Sequence, residues 1–134
     1  MIEKINHIAI AVNDLESHIP FYRDILHLPF DGIEEVPEQK VRVALFKIGS
    51  MHIELLEPLS EDSPISKFLN KNGPGLHHIA FQTDSIQNEL KRLSDLNIRL
   101  IDPVPREGAR QSKIAFIHPA SSGGILTELC QSDE

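Results

Sequence analysis

The stretch HIAIAV at residues 7–12 returns as HIAF at residues 78–81, and each copy runs into a short Asx-containing turn, Asn13-Asp14 in one and Asp84-Ser85 in the other. The offset is 78 − 7 = 71. A second pair of runs closes each half: MHIELL at residues 51–56 and ILTELC at residues 125–130 align on Glu54 and Glu128. Their offset, 128 − 54 = 74, differs from the first by three residues, as a loop insertion gives. Two matches in the same order read as an internal duplication, and a repeat sets the architecture before any single element is assigned.

Each half carries the same sequence of patterns. Ile5–Val12 and His77–Thr83 are apolar runs of strand length. After the second, Asp84 is a plausible N-cap, and Ile86, Leu90, Leu93 and Leu96 fall on one helix face. The first half offers Leu15, Ile19, Tyr22 and Leu26 in the same role, interrupted by Pro20. Proline brings no backbone donor, so the pattern predicts either an irregular first turn or a helix beginning near Ser17, with Pro20 in its opening turn. Val41–Ile48 and Met51–Glu57 read as a hairpin through Gly49-Ser50, and Lys113–His118 with Gly124–Cys130 as its counterpart around residues 119–123. Between the halves, Ser63-Pro64 reads as a cap and first-turn proline opening a short helix that stops before Gly73-Pro74-Gly75. The predicted fold class is α+β, two βαβββ modules at about residues 3–58 and 75–131 joined by a connector at about 59–74 within a single domain.

Strand alternation decides which side chains share a face. His7, Ala9 and Ala11 lie together, as do His78, Ala80 and Gln82 in the second copy; Glu54 lies with His52 and Leu56, and Glu128 with Leu126 and Cys130. A histidine beside small alanines suits the lining of a cavity, while the large apolar residues of the other face suit packing under helices. If the modules combine about an approximate two-fold axis, each brings one His and one Glu to a common centre. His7, Glu54, His78 and Glu128 then supply two imidazoles and two carboxylates, a donor set for a borderline divalent metal that leaves positions for water or substrate. The other histidines, His18, His27, His52, His77 and His118, have no repeat support and read as structural or surface residues.

The composition is compatible with this picture and excludes others. The chain has 134 residues, the size of one domain. At 40% apolar and 25% charged residues, it has neither a disordered nor a fibrous composition. Thirteen Lys and Arg against twenty Asp and Glu give a net charge of −7, which disfavours general binding to nucleic acid or anionic membrane. Arg106, Arg110 and Lys113 are nevertheless a local basic cluster, suited to phosphate groups. No apolar run reaches membrane-span length, and MIEKINHIAIAV has no signal-peptide order, so the expected location is the cytoplasm. The single cysteine, Cys130, rules out a Cys-rich zinc site and restricts metal ligation to nitrogen and oxygen; it is assigned no role.

INHIAIAV with FYRDIL, PEQKV, IELLEPLSEDSPISKFL, GPGLHHIAF and FIHPASSGGILTEL together resemble the vicinal oxygen chelate superfamily, which holds the glyoxalases, bleomycin resistance proteins and dioxygenases. HIAIAV is common across that superfamily. IELLEPLSEDSPISKFL and FIHPASSGGILTEL are much more specific, and resemble the methylmalonyl-CoA epimerases within it. The resemblance implies a cupped, partly closed mixed sheet around one divalent metal, cobalt favoured and zinc, nickel or manganese compatible. It places the ligands on His7, His78 and Glu128, with a fourth at Glu54, and it implies a CoA thioester partner and a homodimer.

The implied reaction interconverts (R)- and (S)-methylmalonyl-CoA by removing the α-proton and returning one to the other face through a metal-stabilised enolate. The resemblance makes Glu128 one base. Some members carry a second, non-ligand glutamate in the strand after PEQ, where this chain has Val43, so the expected second base is Glu54, the pseudo-symmetric mate of Glu128. Glu38, in the preceding loop, is the lesser candidate. The alternative functions are a glyoxalase I-like lyase acting on a glutathione hemithioacetal and a non-catalytic small-molecule binding module of the same fold. A ring-cleaving dioxygenase fits less well, because a two-His, one-carboxylate set does not need Glu54.

Overall fold

The two HIA runs form long strands from which the rest of each module is built. The computed structural model describes residues 1–132. In chain order it has β1 (Ile2–Ala11), a helical turn (Phe21–Ile25), β2 (Phe30–Val36), β3 (Val41–Ile48), β4 (Met51–Pro58), α1 (Pro64–Asn72), β5 (Gly75–Thr83), α2 (Ile86–Asp95), β6 (Arg106–Glu107), β7 (Lys113–Ile117) and β8 (Thr127–Gln131). Both βαβββ modules are present. The described residues pack as two units, residues 7–77 and residues 1–6 together with 78–132, so the division falls inside β1 and inside β5.

In the unit of residues 7–77 the strand order is β2-β3-β4-β1, antiparallel except for the parallel β4–β1 pair. Val12, Leu15, Ile19, Ala44, Phe46 and Leu55 form its buried core, with Tyr22 and Leu28 packed against them. Pro20 decides the helix. Ile19 and Pro20 are already helical, with Pro20 at φ −58° and ψ −33°, so the proline lies in the opening turn as expected; Phe21–Ile25 after it is π-wound, the Leu26 N–H donating to Phe21 O at 2.9 Å, and beyond its end the Leu28 N–H donates to Tyr22 O at 2.9 Å. The wider winding takes Leu26 off the expected face. It is 49% exposed, and Leu28 packs on the core instead. The sequence pattern did not locate β2. Its alternation is broken by a bulge between Phe30 and Ile33, where Gly32 has φ +96°.

In the other unit the order is β1-β5-β8-β7-β6, with β5 and β8 parallel. Ile86 and Leu90 of α2 bury against Ala115, Ile117 and Leu129, with Leu93 at the margin. The N-cap is Ser85, whose Oγ accepts the Asn88 N–H at 3.3 Å; Asp84 instead receives the Met1 amine at 2.7 Å. Leu96 lies past the end of α2 and is 60% exposed. The last strand starts at Thr127, later than expected, because a 3-10 turn at Pro119–Ser121 and two positive-φ glycines, Gly123 and Gly124, occupy the approach. The connector helix α1 is capped as its sequence predicts, the Ser63 Oγ accepting the Ile65 N–H at 3.2 Å, which stabilises the helix by about 1 kcal/mol.

The duplication extends to single hydrogen bonds. Glu57 Oε1 accepts the Leu15 N–H at 2.9 Å, and Gln131 Oε1 accepts the Ile86 N–H at 2.8 Å. The spacings are again 86 − 15 = 71 and 131 − 57 = 74. In each module the end of the closing strand thus satisfies a backbone donor where the chain leaves the first strand. Among the described residues, no helix is long and apolar enough to cross a membrane.

Candidate metal centre

Parallel pairing within each unit brings its histidine and glutamate together. In β1 and β4, Ala9 is the register partner of Glu54, and His7 stands two residues earlier on the same face. His7 Nδ1 lies 3.3 Å from Glu54 Oε2. In β5 and β8 the partner of Glu128 is Ala80, two residues after His78, and His78 Nε2 lies 3.2 Å from Glu128 Oε1. The two registers are identical. Ala9 and Ala80 are fully buried and end at Cβ, so they leave the space above the strand to the functional groups. All four polar residues are themselves buried, between 2% and 7% exposed.

Buried polar groups in this arrangement suit a cation. Burial lowers the His78 pKa from 6.5 to about 3, so its imidazole is neutral at ordinary pH and a ring nitrogen has a lone pair to donate. Nitrogen and oxygen ligands about 2.0–2.2 Å from a metal stand roughly 3 Å apart when adjacent in its shell. The His–Glu separations of 3.2 and 3.3 Å match that spacing in each unit. The residues present therefore fit a divalent ion.

The flanks differ between the units. Opposite Glu54 on β3 is Leu45, whereas opposite Glu128 on β7 is Phe116, whose ring meets the His78 ring edge to face at 5.2 Å. Val43 pairs with Leu56, is 2% exposed and shares the face of Glu54, so this position is dry and apolar. His52, expected as a structural or surface residue, is structural: it is buried on the same face, its Nε2 3.5 Å from Asp31 Oδ2. Alternation already put His52 beside Glu54; the Asp31 contact depends on the β2 bulge and had no sequence signal. Gln82, on the His78 face, accepts the Asn6 side-chain N–H at 2.8 Å.

The sequence model of the glyoxalase/bleomycin resistance protein/dioxygenase superfamily matches residues 6–116. The chain belongs to this superfamily. An ethylmalonyl-CoA/methylmalonyl-CoA epimerase of Cereibacter sphaeroides is 38% identical, the match covering 98% of this chain and 99% of that protein. An uncharacterized protein of Bacillus subtilis is 48% identical over 96% of this chain and 91% of its own. A solved methylmalonyl-CoA epimerase, in complex with methylmalonyl-CoA and NH4+, superimposes with a TM-score of 0.95 at 39% identity, covering 99% of this chain and 96% of that one. Within the superfamily the chain falls with the methylmalonyl-CoA epimerases, and it is an enzyme of that group.

The basic residues of this epimerase-family chain lie along the β6–β7 hairpin. Arg106 is paired in register with Ile114, and Lys113 with Glu107. Lys113 Nζ is 3.3 Å from Glu107 Oε1, and Arg106 Nε is 3.1 Å from Asp102 Oδ1. Arg110 sits at the tip in a left-handed conformation, φ 55° and ψ 38°. Arg106 and Lys113 thus already have carboxylate neighbours. Glu38 lies exposed on the 3-10 turn Pro37–Gln39. Cys130 is buried opposite Gln82 and Ile114.

Proposed function

We propose that the chain interconverts (R)- and (S)-methylmalonyl-CoA, with His7, Glu54, His78 and Glu128 holding one divalent ion, cobalt favoured, and with Glu128 and Glu54 as the two proton carriers. The observation that carries this reading is the pair of buried His–Glu sets in identical register, one in each unit. A change of configuration is simplest with one proton carrier on each face of the carbon, and two carboxylates, one per module, supply that pair. When bound, the ion would supply Lewis-acid stabilisation of the negative charge that develops on the thioester carbonyl oxygen, worth several kcal/mol.

The chain's own residues handle the proton. Glu128 takes the α-proton, and the electrons of the C–H bond move into the thioester carbonyl to give the enolate. Glu54, protonated at that moment, delivers its proton to the opposite face, and the carbonyl re-forms. Turnover leaves Glu128 protonated and Glu54 ionised, the state required for the other epimer. Each positioned acid or base contributes about 10²–10⁴-fold. Burial of both glutamates keeps bulk water from competing for the proton. Val43 carries no proton, which leaves the second role to Glu54 rather than to a residue on β3. Arg106, Arg110 and Lys113 are the proposed contacts for CoA phosphates, and a cytoplasmic homodimer is the setting that goes with this reading.

The test is proton NMR of methylmalonyl-CoA in deuterated water with metal-loaded protein. Loss of the α-proton signal together with interconversion of epimers is the expected result. Absence of exchange with cobalt, manganese, nickel and zinc alike would overturn the proposal, and a parallel assay with a glutathione hemithioacetal separates the lyase activity.

A further inference from the structure

One half of the candidate centre has an aromatic ring where the equivalent position of the other half holds a leucine. Phe116 is the register partner of Glu128, is 8% exposed, and stands edge to face with His78 at 5.2 Å and 87°. On the ring's other contact, the Arg106 guanidinium carbon is 5.9 Å from the centroid, within cation–π range. Asp102 closes the arrangement: its Oδ2 accepts the Phe116 N–H at 2.9 Å, while Oδ1 is 3.1 Å from Arg106 Nε. Backbone bonds from Ile101 N and Asp102 N to Phe116 O, at 2.9 and 3.2 Å, hold the same strand segment. Ring and backbone of Phe116 are therefore gripped by one carboxylate and the cation it holds. The equivalent residue in the other unit, at 116 − 45 = 71, is Leu45, an aliphatic side chain beside Glu54.

We propose that Phe116, clamped by Arg106 and Asp102, is a positioning residue that fixes the plane of the His78 imidazole for ligation. The inference rests on the metal reading above and gives Arg106 a task separate from any contact with CoA. A histidine ligand must hold its ring plane so that one nitrogen lone pair points at the ion, and outer partners that orient a ligand typically change metal affinity by about 10–100-fold. A flat aromatic wall meeting the imidazole at a right angle restricts rotation of that ring; a leucine, with a rounded and mobile surface, does so less.

The experiment titrates cobalt into substrate-free parent, Phe116→Leu and Arg106→Gln proteins by calorimetry, and records the visible absorption of the bound cobalt and the unfolding temperature. Phe116→Leu copies the residue found at the equivalent position. It is expected to weaken cobalt binding by about 10–100-fold and to alter the intensity of the visible bands. Arg106→Gln, at a side chain 38% exposed, is expected to weaken binding by about 2–5-fold with the same spectral change in smaller degree, its unfolding temperature showing that it folds. Without substrate present, CoA contacts do not enter. Parent affinity and parent spectrum in Phe116→Leu overturn the positioning role and leave the metal reading standing; if that variant fails to fold, the same result in Arg106→Gln decides. A parent protein that takes up none of cobalt, manganese, nickel and zinc overturns both.

Discussion

Replacing Glu54 with glutamine separates the jobs assigned to that residue. The amide keeps the shape and one oxygen near His7 Nδ1, 3.3 Å away in the parent, and the β1–β4 register that places it is made by the backbone. Loss of a buried, charged partner should cost stability on the order of 1–3 kcal/mol, within what a folded domain tolerates. The proton carrier, however, is gone. Interconversion should fall by about 10²–10⁴-fold, equivalent to roughly 3–5 kcal/mol of barrier. Glu128 is untouched, so the epimer whose α-proton faces it should still exchange with solvent while the other does not. Starting from each pure epimer in deuterated water, NMR reads α-proton loss and epimer ratio together, and metal content of the same sample shows whether a ligand was lost. Interconversion at the parent rate, or equal exchange from both epimers, would refute the two-glutamate scheme.

Other expectations follow from individual contacts. Glu57→Ala and Gln131→Ala each leave a backbone donor, Leu15 N–H or Ile86 N–H, without its acceptor, and each should lower stability by about 1–2 kcal/mol in urea unfolding; no change in either would remove the hydrogen-bond evidence for duplication. Gly108→Ala places a Cβ 2.6 Å from Ile114 Cγ2 and 2.8 Å from Ser112 Oγ, so a loss of about 1–3 kcal/mol is expected, and an unchanged Tm would show that the β6–β7 hairpin yields freely. Burial of His78 makes the metal-free protein pH-sensitive. Between the ordinary value of 6.5 and the folded value of about 3, the unfolded chain binds the extra proton, so stability falls as pH drops below 6.5, by at most about 1.4 kcal/mol per unit from this residue. Urea midpoints between pH 7.5 and 5 measure it, and an identical slope in His78→Gln would assign the effect elsewhere.

The strands other than β2 and β6, and the pairing of one histidine with one glutamate in each unit, were legible because both depend on short-range rules: period-two alternation, and two offsets that repeat. The register of the structure agrees with those offsets residue by residue, Ala9 with Glu54 and Ala80 with Glu128. Features set by tertiary contacts were not legible. Asp84 and Ser85 are equally good caps by type, and the Met1 amine decides between them. Pro20 announced an irregular helix start but not π winding, whose displacement of Leu26 depends on which carbonyls the following N–H groups reach. The Asp31–His52 contact comes from a bulge, and the Asp102–Arg106–Phe116 clamp from a loop folding back on β7, neither of which leaves a periodic trace.

The unit boundaries inside β1 and β5 bear on any attempt to make the two repeats as separate polypeptides. A break in the connector looks natural from the sequence, yet the downstream piece would lack residues 1–6, the strand that lies beside β5 in its own unit. That piece would present a long unpaired strand edge, a template for adding a foreign strand. Fragment complementation would therefore work best with the first six residues grafted ahead of the second repeat, or with both pieces produced together so that the donor strand is always at hand.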